Sequence, residues 1–123
     1  MSESEQRILI IDPHHDQQAV MATYLRSESY EVETGGSLAD AIKMLEDRSF
    51  CCLILDVDLP EMKGYEAVPI LKRIHPDLKI IMTTQKNHKD LEAQVRKQDI
   101  FFYFIKSFGK EELKLAIQNA FSK

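Results

Sequence analysis

The stretch LILDVDLPEMKG, residues 53–64, ends an aliphatic run on Asp56, places a second carboxylate at Asp58 and then breaks the chain with Pro60 and Gly64. Three other polar side chains stand in the same relation to apolar runs: Asp12 after ILII, Thr84 after the run that begins at Leu78, and Lys106 after FFYFI. A charge at the end of a buried segment must find a partner, since an unpaired buried ion is expensive. If the two acids meet, they repel by on the order of 4 kcal/mol at roughly 4 Å and an effective dielectric near 20. A shared cation removes that penalty, and Mg2+ is commonly held by one or two carboxylates with waters and phosphate oxygens. An aspartate so placed can attack phosphorus and form an acyl phosphate. The metal, Lys106 and Thr84 would then hold the oxygens of the transferred group.

Each residue also has a plainer reading. Asp12-Pro13 is an ordinary helix start, an acid capping the helix and a proline preset for the first turn. Lys106 serves equally as a structural counter-ion for Asp56, and Thr84 as a strand-end hydroxyl. Asp58, two residues beyond Asp56, points to the same side if the segment stays extended, and so offers a further carboxylate to the metal. Lys86 could instead neutralise Asp56 or Asp58 with no metal. His14 and His15 are adjacent, a spacing that does not set two ligands on one helical face, so solvated rings are expected. One residue of the group His14, His15 and Asp16 could still reach the pocket.

The elements that must carry these side chains follow from hydrophobic periodicity. Four short apolar runs, Ile8 to Ile11, Cys51 to Leu55, Leu78 to Thr83 and Phe101 to Ile105, read as strands buried on both faces, and Tyr30 to Thr34 as an edge strand. Helical stripes lie between them: Val20 to Leu25; Leu38 to Leu45, led by a Ser37/Asp40 capping pattern; Tyr65 to Ile74; a thin one around Leu91 and Val95; and Leu113 to Phe121. Pro69 predicts a late start or a bend in the third helix, and His75-Pro76 its end. Alternating strands and helices give an α/β fold, an open parallel sheet covered on both faces, whose ligands sit beyond the carboxyl ends of the strands. That edge is where Asp12, Asp56, Thr84 and Lys106 fall.

Length and composition limit the rest. With 123 residues the chain is expected to be one domain, and residues 1–6, MSESEQ, a disordered polar tail. Acids outnumber basic residues 20 to 16, a formal charge of −4, which argues against a cationic face for nucleic acid. No apolar stretch approaches the length of a membrane span, no secretory signal is evident, and the two cysteines are adjacent within a strand. A soluble cytoplasmic protein is the expectation.

From Arg7 to Phe121 the sequence resembles the receiver domain of bacterial response regulators, through ILIID, LILDVDLPEMKG, IIMTT and YFIKSF in that order. The resemblance implies a flavodoxin-like, doubly wound, five-stranded parallel sheet of order 2-1-3-4-5 with five helices. It implies Asp56 as phosphoacceptor, Lys106 as partner of the acyl phosphate, Thr84 and Tyr103 as the switch pair, and Mg2+ held by Asp12, Asp56 and the Asp58 backbone carbonyl. Tyr103, set among Phe101, Phe102, Phe104 and Ile105, also suits an ordinary core or interface position. A sensor histidine kinase or phosphotransfer protein is implied as donor, an output partner or effector domain as recipient of the signal, and a homodimer through helix 4, strand 5 and helix 5 as one possible assembly.

Four positions depart from the family pattern: Pro13 replaces the second of two acids, Ser107 a proline, Gln85 a small residue, and DIFF, 99–102, a glycine-containing segment. Pro13 implies weak Mg2+ binding and supports an alternative, a pseudo-receiver that acts as a phosphorylation-independent interaction module. A third reading, a haloacid-dehalogenase-like phosphatase suggested by DVDLP, lacks that family's later paired acids. A flavodoxin-like cofactor role lacks phosphate-cradling residues in DPHHDQ. Beyond phosphorylation and dephosphorylation of Asp56, no enzymatic activity is expected.

Overall fold

The computed structural model describes residues 7–122; the tail expected at 1–6 lies outside them. The strands are β1 (Arg7–Ile11), β2 (Glu31–Gly35), β3 (Cys52–Asp56), β4 (Lys79–Thr84) and β5 (Phe102–Ile105). The helices are α1 (His15–Ser27), α2 (Leu38–Asp47), α3 (Gly64–Ile74), α4 (Lys89–Arg96) and α5 (Lys110–Phe121), with one 3-10 turn at Lys106–Phe108. All strand pairs are parallel and the order is β2-β1-β3-β4-β5. The strand with alternating glutamates is an edge, as its half-polar pattern demands.

Alternation along each strand divides the core between the two faces of the sheet. Leu9, Ile11, Leu53, Leu55, Ile80 and Met82 pack with Leu38, Ala41, Leu45, Ala67, Val68, Leu71 and Val95 of α2, α3 and α4. Ile8, Ile10, Cys52, Ile54, Ile81 and Phe104 pack with Met21, Ala22, Leu25, Leu113, Ala116 and Ile117 of α1 and α5. The apolar payload of α4 is thin: Val95 is its one buried residue.

Local signals explain most boundaries. Ser37 Oγ accepts from the Asp40 N–H (3.1 Å) while Asp40 Oδ2 accepts from the Gly36 N–H (2.9 Å), so donors on both sides of the α2 start are satisfied. Glu66 Oε1 accepts from the Lys63 N–H at the α3 start (3.0 Å), and His75 ends that helix.

Two expectations are corrected. Of the late start or bend that Pro69 called for, the late start is absent: helix α3 starts at Gly64 and runs on through Pro69 to Ile74. Losing one donor there costs about 3 kcal/mol, but Ala67, Val68 and Leu71 are fully buried, and each Val or Leu contributes about 1.5–3 kcal/mol. Packing therefore outweighs the proline. Asp12 does not cap α1 either: the helix opens at His15, and Asp12 Oδ1 accepts from the His14 N–H (2.9 Å) across a short turn made by Pro13.

Candidate functional site

β1 and β3 lie side by side, with Ile11 in register with Leu55. Their ends therefore deliver Asp12 and Asp56 to one point at the carboxyl edge of the sheet. Both side chains are about 1 % exposed, and the Lys106 side chain that enters from the end of β5 is 8 % exposed. Lys106 Nζ lies 2.7 Å from Asp12 Oδ2, 2.6 Å from Asp56 Oδ1 and 2.5 Å from Gln17 Oε1. Its three N–H donors thus have three acceptors, which satisfies the ammonium out of water.

The opposite oxygens face a different group. Asp12 Oδ1 is 2.8 Å from His14 Nδ1, and Asp56 Oδ2 is 3.9 Å from the same nitrogen. Asp56 Oδ2 also accepts from the Asp58 N–H at 2.8 Å. Burial raises the Asp56 carboxyl above its ordinary range; the Lys106 ammonium and the Asp58 N–H pull it back down, and the nearby Asp12 charge adds to the rise.

The remaining candidates divide. Asp58 turns its carboxylate to Lys63 Nζ (3.0 Å) and pairs with Lys63 as an antiparallel bridge. The two-residue spacing fixes a side only while the strand continues, and β3 ends at Asp56. What Asp58 presents to Asp56 is its backbone N–H. Thr84 is buried at the end of β4, its hydroxyl donating to the Lys86 carbonyl (3.0 Å). Thr83, in register with Asp56, brings Oγ1 to 3.5 Å from Asp56 Oδ1. It is Lys106, and not Lys86, that is bonded to the acid pair. Tyr103 is 8 % exposed and points away from the acids, its hydroxyl donating to Asn87 Oδ1 at 2.7 Å. Asn87 Nδ2 in turn donates to Glu92 Oε1 (2.9 Å), and Arg96 Nε to Glu92 Oε2 (3.0 Å), with the guanidinium 5.8 Å from the Tyr103 ring centre.

Three contributors escaped sequence reasoning. Gln17, in the first turn of α1, holds Lys106. Gln18 Nε2 ties the ends of β1 and β2 by donating to the Asp12 and Gly35 carbonyls (2.9 and 2.8 Å). Glu61, in the loop after β3, accepts from the Leu38 and Ala39 N–H groups at the start of α2 (2.9 and 3.0 Å), and these bonds hold its carboxyl below the ordinary range. Nothing in their spacing marked them, because each acts across a tertiary contact.

Gly64 explains how this edge closes. A Cβ there would lie 2.2 Å from the Asp56 carbonyl oxygen and 3.0 Å from Val57 Cα. The absent side chain lets the start of α3 rest on the end of β3, where the Gly64 N–H donates to the Val57 carbonyl (2.7 Å).

Asp12, His14 and Asp56 form a group whose ligand atoms all lie within 4.8 Å of one another. Two buried carboxylates beside a half-exposed imidazole suit a divalent cation, since two is the number Mg2+ ordinarily takes from protein. Among the described residues no helix is long and apolar enough to cross a membrane.

Comparisons with known proteins agree with this fold. The family model for the response regulator receiver domain matches residues 8–118. The transcriptional regulatory protein SrrA of Staphylococcus aureus is 27% identical over 111 residues, 90% of this chain and 46% of that protein. The chain thus spans about half the length of the curated relatives it matches. The fold matches the CheY-like receiver domain protein of Methanospirillum hungatei with a TM-score of 0.87, at 24% identity, over 95% of this chain and 94% of that one. The response regulator protein TrrA of Thermotoga maritima, in complex with Mg2+ and BeF, superposes with a TM-score of 0.82 at 27% identity, over 94% and 98% of the two chains.

Proposed function

The chain belongs to the response regulator receiver domain family, and on that premise we propose that it accepts a phosphoryl group on Asp56 and changes a protein-binding surface in response. The observation that supports this most is the buried Asp56 carboxylate at the end of a central strand, with the Lys106 ammonium 2.6 Å away. An oxygen of Asp56 forms the bond to phosphorus as the bond from phosphorus to the donor's imidazole nitrogen breaks, the nitrogen keeping the electron pair. Lys106 then neutralises charge on the incoming phosphoryl oxygens. Asp12 and Asp56, with the Asp58 backbone carbonyl, would hold the divalent ion, which supplies further charge neutralisation at those oxygens. Mg2+ binding is weak in this proposal, because Pro13 stands where an acid would coordinate.

The donor is a sensor histidine kinase or a phosphotransfer protein. Output passes through Thr84 and Tyr103 to the face of α4, β5 and α5, where it meets an output partner, an effector domain or a second copy. The physical requirement is that the phosphoryl group favour one of two arrangements by its contacts. The Tyr103–Asn87 hydrogen bond is the contact such a shift would break.

Pro13 favours a second reading, a pseudo-receiver that works by docking alone; Lys106 already neutralises the acids in it. Beryllofluoride with a divalent ion separates the two. A phosphoacceptor shows amide chemical-shift changes around Asp56, Thr84 and Tyr103 that Asp56→Asn abolishes; a pseudo-receiver shows none.

A further inference from the structure

The two buried carboxylates divide their oxygens between two neighbours. Asp12 Oδ2 and Asp56 Oδ1 go to Lys106, while Asp12 Oδ1 and Asp56 Oδ2 face His14. A cation on the histidine side therefore need not displace the ammonium. The ring lies beside the two acids, 44% exposed, before the first residue of α1. Pro13 makes the turn that brings it back over the acids, and the His14 N–H bond to Asp12 fixes that turn.

From this arrangement we infer that His14 is a metal ligand and that the pocket selects a first-row transition ion, of the class of Mn2+, Co2+ or Zn2+, over Mg2+. The inference rests on the pocket taking a divalent ion, as proposed above. The distances bracket it: ligands about 2.0–2.2 Å from one ion stand about 3 to 3.5 Å apart, and the nitrogen lies 2.8 and 3.9 Å from the two carboxylate oxygens, so a shift of the ring by a few tenths of an ångström, from about 0.2 to 0.4 Å at each contact, brings both into range. The donor set suits it as well. Imidazole binds borderline ions, whereas Mg2+ strongly prefers oxygen. The ring binds through Nδ1 with its proton on Nε2, exchanging the hydrogen bond to Asp12 for a bond to the shared ion. The acid lost at residue 13 is thus replaced by a nitrogen one position later, and the chemistry of the ligand sets the choice of ion.

The test uses the wild-type chain, His14→Ala and His14→Asp, titrated with Co2+ followed by visible absorption and with Mg2+ by competition. The expected result is Co2+ affinity well above Mg2+ affinity, a ratio that falls by about tenfold or more in His14→Ala and shifts toward Mg2+ in His14→Asp. The exposed ring makes both variants conservative for folding, which circular dichroism checks. An unchanged ratio in His14→Ala, or no binding of either ion by the wild type, overturns the inference. If Co2+ binds through His14 but beryllofluoride forms no adduct at Asp56, the phosphoacceptor reading fails and this one stands.

Discussion

Lys106 and Asp56 come from strand ends 50 residues apart in sequence, yet Nζ and Oδ1 lie 2.6 Å apart with both side chains almost wholly buried. The ammonium also bonds Asp12, so it is the charge that lets two acids share one buried corner. Replacing Lys106 with Met removes the ammonium from both carboxylates and leaves them the His14 and Asp58 N–H groups and the His14 ring. Urea denaturation without divalent ions is expected to show a loss of about 3–5 kcal/mol, partly restored by a saturating divalent ion that binds the native state.

Asp56 is the member of this group whose ionised form is disfavoured by burial. Asp56→Asn removes the charge while keeping the shape. A stabilisation on the order of 1 kcal/mol is expected, a rise in thermal midpoint of about 3–6 °C for a domain of this size. A lowered midpoint would mean that the Lys106 pairing outweighs desolvation.

Gly64 faces the Asp56 carbonyl with no room for a methyl group. Gly64→Ala is expected to push the α3 start off β3 and to destabilise by about 1–3 kcal/mol. Amide shifts should change at Asp56 and Val57 more than at the far end of the sheet.

Glu61 holds two amide donors of α2, and its carboxyl titrates below the unfolded value. A depressed acid contributes stability above its unfolded pKa, near 4.3, and loses it as pH falls through the folded value. Glu61→Gln should therefore cost up to about 1 kcal/mol at neutral pH, discounted for the exposure of the side chain. Near pH 3 its melting curve should approach that of the wild type.

Asn87 is the acceptor that keeps the Tyr103 hydroxyl in place. Asn87→Ala is expected to cost about 1 kcal/mol and to broaden or shift the Tyr103 ring resonances, reporting a side chain free to move. Unchanged resonances would show that packing alone holds the ring.

The strands and the convergence of Asp12, Asp56 and Lys106 were legible because buried parallel strands carry continuous apolar runs and polar residues stand out at their ends; the strand order came from the resemblance to receiver domains. Pro69 did not delay the start of α3 because local propensity is weaker than the burial of Ala67, Val68 and Leu71. Asp58 misled because side-chain alternation stops where the strand stops. His14, expected to be solvated unless one of His14, His15 and Asp16 reached the pocket, is the one that reaches the acids, through a turn that no periodicity encodes. Gln17, Gln18 and Glu61 act on groups 6 to 89 positions away, and one chain alone carries no signal of such pairs.

The phosphoacceptor role of Asp56 is tested most directly by incubating the chain with acetyl phosphate and a divalent ion and following intact mass, with peptide mapping of the product. One added phosphoryl group on the peptide containing Asp56, absent from Asp56→Asn, is the predicted result. An unmodified mass under conditions where the ion is bound would contradict it and leave a docking module in its place.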